Sequence, residues 1–204
     1  MTDGELNPIV FSKNVIEFVT VANEYCKFVE TAGREDAWTV LGKAQKLLPL
    51  IYLKASVIPE FDSSEELSPE KYVTEVDYNF LQQRIMNLLG QYDDYQEVFD
   101  DRMQFSETPV TASISENLAD IYQDLKDFIQ SYRIGDDQVM QEALWTCMMD
   151  FRTHWGQKLV NGLRAIHMLV YSQVDFDQQT GLPSDEEENS RPDWLNNLFN
   201  REID

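Results

Sequence analysis

The stretch FRTHWGQKLVNGLRAIH, residues 151–167, contains both histidines of this 204-residue chain and decides its fold. Its apolar residues recur at steps of three and four, which places them on one side of an α-helix. Polar residues gather on the opposite side: Asp150, His154, Gln157, Asn161 and Arg164. The pattern runs from about Asp136 to Ser172 without a proline. We predict one helix of about 50 Å over this range, with any bend near Gly156 or Gly162.

Four earlier segments have the same helical period. They start after Pro8, near Asp36, near Tyr78 and at Ser113. In the second of them Pro49 predicts a kink, because proline removes a backbone hydrogen bond, and we expect the helix to restart through Leu53. The fourth opens with Ser113 and Glu116, which have the spacing of a capping box.

Two segments lack this period. We expect a loop from Pro59 to Asp77, with seven acidic residues and one lysine, and irregular structure over residues 91–109 with room for one short helical piece. Alternating apolar and polar residues, the sign of a strand, are absent. The fold class is therefore all-α: a single-domain helical bundle of about five main helices plus a short C-terminal helix.

The predicted domain organisation has three parts. Residues 1–174 form the bundle, residues 175–190 an acidic linker, and residues 191–204 a short C-terminal helix. The linker has six acidic residues and no basic ones, which is typical of a segment without a core of its own. The final helix is amphipathic and could dock onto the bundle or onto a partner through Trp194, Leu195, Leu198 and Phe199.

The chain is strongly acidic, with 37 Asp and Glu against 16 Lys and Arg and a formal net charge of −21. This charge argues against binding to nucleic acid or to an anionic membrane, since both require a basic surface. It favours a protein partner, a basic one above all, or a homo-oligomer. We find no signal peptide and no apolar run long enough to span a membrane, so we expect a cytoplasmic protein. Cys26 and Cys147 lie in apolar helical patterns, which predicts two buried free thiols.

A candidate polar site follows from two neighbouring helix faces. Acidic residues share one face of the fourth helix at spacings of four, four and three, starting at Glu116. The last helix offers His154 one turn after Asp150, a pair that could be an ion pair, a metal half-site or a base with its orienting acid. The full candidate set is Asp120, Asp124, Asp127, Asp150, Arg152, His154 and Arg164.

Two residues of the last helix raise questions of their own. Arg152 points into the apolar arc, so it needs a partner, and we expect one among the acids of the fourth helix. His167 lies at the edge of the same arc, where we expect a neutral imidazole hydrogen-bonded to a backbone carbonyl. The two histidines are thirteen positions apart and cannot bind one metal from a single helix.

Three stretches carry a resemblance to a known family: LLPLIYLKA in the second helix, SISENLADIYQDLKDF (113–128) and residues 151–167. Together they resemble the uncharacterised bacterial family known as domain of unknown function 5063. The resemblance implies a small, soluble, mostly helical bacterial protein, and it implies no activity, cofactor or partner. The residues that carry it are Asp120, Asp124, His154, Trp155, Gly156, Arg164 and His167.

Two functions compete. We favour a non-catalytic acidic interaction or regulatory module, because catalytic signatures are absent and the loops combine acids with aromatics such as Tyr92, Tyr95 and Phe99. The alternative is a metal-dependent hydrolase acting on a nucleotide or phosphoester. It would use Asp120, Asp124 and Asp150 as ligands or bases, His154 as ligand or acid/base, and Arg152 or Arg164 on the phosphate. The sequence alone leaves open whether the protein is an enzyme and assigns no metal or cofactor.

Overall fold

Six α-helices contain most of the residues that the computed structural model describes, which are 9–63, 69–97, 111–172 and 176. They are α1 (Lys13–Thr31), α2 (Ala37–Ser56), α3 (Glu75–Leu89), α4 (Ile114–Tyr132), α5 (Asp137–Asp150) and α6 (Gly156–Tyr171). A π-helical turn, Phe151–Trp155, joins α5 to α6. Helical structure thus continues from Asp137 to Tyr171, and the π-turn ends where a bend was expected, at Gly156. The predicted all-α class is confirmed.

The core is built around α4, which packs against α1, α3, α5 and α6. At its centre Trp155 is fully buried and stacks on Phe18, whose ring in turn stacks on Phe128 of α4 with centroids 5.5 Å apart. The Trp155 indole donates to the Cys147 carbonyl oxygen at 3.0 Å, which satisfies the polar atom of this buried side chain. The residues at this centre come from α1, α4 and the junction of α5 with α6.

Helix α2 lies at the side of the bundle and packs on α1 and α6. Tyr52 near its end meets Phe151 at the start of the π-turn, with ring centroids 5.2 Å apart. Trp38 near its beginning meets Phe176 beyond the end of α6, at 5.1 Å. These two contacts show that α2 and α6 run antiparallel. Helix α2 is continuous through Pro49 to Ser56.

Two loop predictions need correction. Helix α3 begins at Glu75, inside the predicted loop, because Thr74 and Asp77 form a reciprocal capping box. The segment predicted to be irregular contains β1 (Asp94–Gln96), which pairs antiparallel with β2 (Thr111–Ser113) in the register Tyr95 to Ala112. Phe99 lies outside the described residues.

Among the described residues no helix is both long and apolar enough to cross a bilayer. Cys26 and Cys147 are buried free thiols, as predicted, and burial raises the pKa of both. Phe176 is buried against Trp38 and Tyr92, while the rest of the predicted linker and the predicted C-terminal helix lie outside the described residues.

Candidate functional site

The polar side chains of α4 meet α6 in a seam, and Asp120 lies at its middle. One Asp120 oxygen accepts from the Tyr78 hydroxyl of α3 at 2.8 Å, and the other accepts from the Lys158 ammonium of α6. Glu116, one turn earlier, is 3.7 Å from the same ammonium. These acids raise the pKa of Lys158 against the opposing effect of its partial burial. Both Asp120 oxygens are therefore engaged by protein groups.

One turn further along α4, Asp124 meets His154 across the helix interface. Its Oδ2 is 3.1 Å from the His154 Nδ1. The carboxylate is mostly buried, with 11% of its side chain exposed, whereas 47% of the imidazole is exposed. Burial raises the pKa of Asp124, and the contact with His154 opposes that rise. The two predicted residues do converge, in the geometry of a buried acid that orients a solvent-facing imidazole.

The π-turn that carries His154 depends on a glycine. The Gly156 amide donates to the carbonyl oxygen of Phe151, five residues back, which is the hydrogen bond of a π-helix. A Cβ at position 156 would lie 2.2 Å from that oxygen and 2.8 Å from the Phe151 ring. No side chain fits there without a shift, so glycine is required for the turn to form as it does.

Asp127 has a structural role. It is buried, and its Oδ1 accepts from the backbone amides of Tyr72 and Val73 at 2.7 and 2.9 Å. Its Oδ2 lies 3.5 Å from the Lys71 ammonium. Asp127 thus fastens the segment that leads into α3, and the α4 face predicted as one acidic site is divided among different partners.

The remaining members of the predicted set do not join this seam. Arg152 was expected to pair with α4, but its guanidinium is 3.2 Å from Glu60 and 48% of its side chain is exposed. Arg164 is exposed and forms no ion pair with another described residue. His167 is also exposed, with its ring 4.7 Å from that of Tyr171, and among the described residues its imidazole does not form the expected hydrogen bond to a backbone carbonyl.

A small cavity of about 10 Å³ lies beside Asp124, Asp127 and Asp150, room for roughly one water molecule. Among the described residues, no group of three or more His, Cys, Asp or Glu side chains is arranged to hold a metal ion. A larger cavity of about 80 Å³ lies at the end of α2, beside Trp145 and Arg152. Both are far smaller than the 300 Å³ or more that is typical of ligand pockets.

Several polar contacts of the seam were missed by the sequence analysis. The Asn117 amide donates to the Tyr95 hydroxyl oxygen at 2.5 Å, and the Asn161 amide donates to Glu97 at 2.5 Å. These contacts fasten the β-hairpin to α4 and α6. Lys158 was missed too, although its place one turn after His154 on the same polar face was a usable signal.

Further along α4, an ion pair lies inside the core. The Lys126 ammonium is 2.6 Å from Glu30 of α1, with 10% and 4% of the two side chains exposed. The Tyr122 hydroxyl donates to the same Glu30 oxygen at 3.1 Å. Such a pair needs both partners, because either charge alone would be buried without compensation.

The exposed sides of α2 and α6 form a second candidate region, which we call the α2–α6 face. Eight of the thirteen large apolar side chains that are exposed in the described part of the chain lie on or directly after these two helices. The face consists of Trp38, Lys46, Leu50, Tyr52, Leu53, Val57, Val160, Arg164, His167, Met168 and Tyr171.

The charge of this face differs from that of the whole protein. Helix α2 has three lysines and no acidic residue, and the segment Phe151–Tyr171 has three Lys or Arg residues and no acidic one. Four of these six cations pair with acids from neighbouring elements: Lys43, Lys54, Arg152 and Lys158. Lys46 and Arg164 form no ion pair with another described residue.

The fold and these two regions define an all-α bundle with a polar seam between α4 and α6 and an outer face on α2 and α6 that contains no acid. The profile of the family described as domain of unknown function 5063 matches residues 9–172. The chain therefore belongs to this family, in agreement with the resemblance seen in the sequence. No curated protein matches it.

A solved structure is similar to this chain: protein BF1032 from Bacteroides fragilis, a structural genomics target. The sequence identity is 43% and the TM-score is 0.72. The match covers 81% of this chain and 98% of that protein. The match therefore spans nearly the whole length of BF1032.

Proposed function

We propose that this protein is a non-catalytic interaction module whose α2–α6 face binds an amphipathic helix with acidic flanks. The observation that carries the proposal is the concentration of exposed apolar side chains on two adjacent helices that contain no acid. Exposed apolar side chains concentrated in this way are typical of protein interaction sites. Two antiparallel helices with apolar residues between them are a common receptor for a third, amphipathic helix.

The chemistry of the partner follows from the local charge. The net charge of −21 favours a basic partner for the protein as a whole. On the α2–α6 face, however, Lys46 and Arg164 are the charges free to act, and they attract acids. Apolar anchors would supply most of the binding free energy, and the two cations would set orientation and association rate.

Affinity capture from a lysate of the source organism tests the proposal, using the wild-type protein and the Leu53→Asp variant. Leu53 is 54% exposed, so the aspartate does not disturb the core. We expect one partner to be lost from the variant, and the same partner, once purified, to bind the wild type at least tenfold more tightly. Higher salt should weaken this binding, because cations of the face contribute to it.

The matched control is Val76→Asp on α3, where the side chain is 68% exposed outside the α2–α6 face. It adds the same charge to the protein and should retain the partner. A wild-type protein that stays monomeric and retrieves no protein that is absent from the Leu53→Asp capture would contradict the proposal. So would equal loss of the partner from both variants.

The Asp124 and His154 contact supports a second candidate function, the phosphoester hydrolase, with His154 as the base. This proposal is weaker, because Asp120 is engaged by Lys158 and Tyr78 and the adjacent cavity holds about one water. Its test is phosphatase and nucleotidase activity of the wild type and of His154→Gln with Mg²⁺, Mn²⁺ or Zn²⁺ added. Activity that His154→Gln abolishes would favour the hydrolase over the interaction module.

A further inference from the structure

We infer that the C-terminal tail of this chain, residues 177–204, docks in cis on the α2–α6 face and competes there with the partner. The inference rests on the proposed function, since it concerns the same surface. The tail lies outside the described residues, and the inference is drawn from its sequence, its length and the position where the described chain ends.

The described chain ends at the α2–α6 face. Phe176 is buried, with its ring 5.1 Å from Trp38 and 5.0 Å from Tyr92. Trp38 belongs to the face and stands near the beginning of α2. The tail therefore starts from one end of the surface on which we place it.

The length of the tail suits this surface. Its first apolar anchor, Trp194, follows Phe176 by 18 residues. A flexible chain of that length has a root-mean-square span of about 23 Å. The distance along α2 from Trp38 to Leu53 is about 22 Å at 1.5 Å per residue. Effective concentration is greatest when the span of a linker matches the distance it must bridge.

The chemistry of the tail matches the partner inferred above. It has eight acidic residues against two arginines, whereas α2 and α6 have none. Beyond the acidic run its pattern predicts an amphipathic helix, with apolar residues Trp194, Leu195, Leu198 and Phe199 on one side and asparagines on the other. Apolar anchors would contact the exposed side chains of the face, and the acidic run would lie near Lys46 and Arg164.

The tail is also an addition to the family domain. The family profile ends at residue 172, and BF1032 is covered over 98% of its length by 81% of this chain. A segment outside the family domain that carries the chemistry proposed for the partner is suited to regulation, because it lowers the affinity for any external helix by occupying the same surface.

Hydroxyl-radical footprinting of the full chain tests this inference. Met168 on the face is 63% exposed, and Met86 on α3, 40% exposed, is the internal reference. The tail variant Trp194→Ser/Leu198→Ser/Phe199→Ser removes the anchors, and Asn196→Ser/Asn197→Ser is the matched control. We expect Met168 to be oxidised about threefold faster in the tail variant than in the wild type or the control, as for a tail docked roughly two-thirds of the time. Met86 should not change.

Two results would overturn the inference. Equal oxidation of Met168 in the wild type and the tail variant would show that the tail does not cover the face. Protection that disappears on dilution would show that the tail of a second copy covers it instead.

A further arm separates this inference from the proposed function. A synthetic peptide of residues 190–204 is added to the tail variant, and oxidation of Met168 is measured again. If the peptide protects Met168 from oxidation but the chain's own tail does not, cis docking is overturned and the proposed function still stands. Protection in both arms supports cis docking.

Discussion

Helix α4 and the α2–α6 face differ in whether their side chains find partners within the protein. On α4 the polar groups are matched inside the protein: Lys126 with Glu30, Asp127 with the backbone before α3, Asp120 with Lys158 and Tyr78. On the α2–α6 face, apolar side chains are exposed and two cations have no ion-pair partner among the described residues. The residues with the most suggestive chemistry are therefore engaged in contacts within the fold, whereas the binding that we propose uses the less conspicuous ones.

Helical position alone does not separate these roles. Asp120 on α4 and Lys46 on α2 are both polar residues on a helix surface. Only Asp120 has hydrogen-bond partners among the described residues. A group whose partners are complete contributes to stability, and its loss is expected to unfold the protein before it affects binding. The substitutions below test this difference, starting with the largest effect.

Removal of the Lys126 charge should have the largest effect. Lys126→Met leaves the Glu30 carboxylate buried without its partner, and we expect a loss of about 3–5 kcal/mol in the free energy of unfolding. Urea denaturation measures it. The double variant Glu30→Gln/Lys126→Met removes both charges and should recover most of the loss. If the double variant is as unstable as the single one, packing around Lys126 is the cause and the charge is not.

A methyl group at the π-turn should have the next largest effect. Gly156→Ala forces its Cβ against the Phe151 carbonyl, and we expect a loss of about 1–3 kcal/mol. Gly42→Ala is the matched control, since a Cβ there meets nothing within 4 Å in the middle of α2. That variant should gain about 0.5–1 kcal/mol. Thermal unfolding of both variants measures the two effects. Equal changes in melting temperature would contradict the role given to Gly156.

Asp93 predicts a pH dependence. Its carboxylate accepts from the Ser115 amide and hydroxyl, but it is buried, and burial raises its pKa. The folded protein therefore holds this proton more tightly than the unfolded chain does. Its contribution to stability is present below about pH 4 and is lost as the pH rises through the raised pKa. Asp93→Asn lacks this loss, so the stability of the variant relative to the wild type should increase between pH 4 and pH 7. If denaturation experiments show the same difference in the free energy of unfolding at every pH, the predicted role of Asp93 is contradicted.

Loss of the imidazole at position 154 should have a small effect on stability. About half of the His154 side chain is exposed, and pairs of this kind contribute at most about 1 kcal/mol. The contact lowers the pKa of Asp124, so that pKa should rise in His154→Ala. Denaturation and NMR titration of the Asp124 carboxyl measure the two effects. A loss of several kcal/mol would place His154 among the structural groups of α4.

The helices were predictable because each has a long apolar period, and Ser113 marked the start of α4 correctly. The two strands were not, since three residues are too few to produce an alternating pattern. Arg152 was misplaced for a different reason. A helical wheel assumes a constant rotation per residue, and the π-turn departs from it at the point where Arg152 lies.

The candidate site was predictable only in part. The spacing of acids on α4 and the position of His154 led to the contact between Asp124 and His154. The sequence could not indicate that Lys158 and Tyr78 already occupy Asp120, because these contacts join residues far apart in the chain. The α2–α6 face escaped notice for a similar reason, since its acid-free character emerges only when α2 and α6 are seen to be neighbours.

The central claim is that the exposed α2–α6 face binds, whereas the polar groups of α4 support the fold. Its most direct test is the affinity of the captured partner for Leu53→Asp/Met168→Asp, measured by calorimetry on a protein of known stability. We predict a free energy of unfolding within about 0.5 kcal/mol of the wild type and an affinity reduced at least tenfold. An unchanged affinity in this folded variant would contradict the claim.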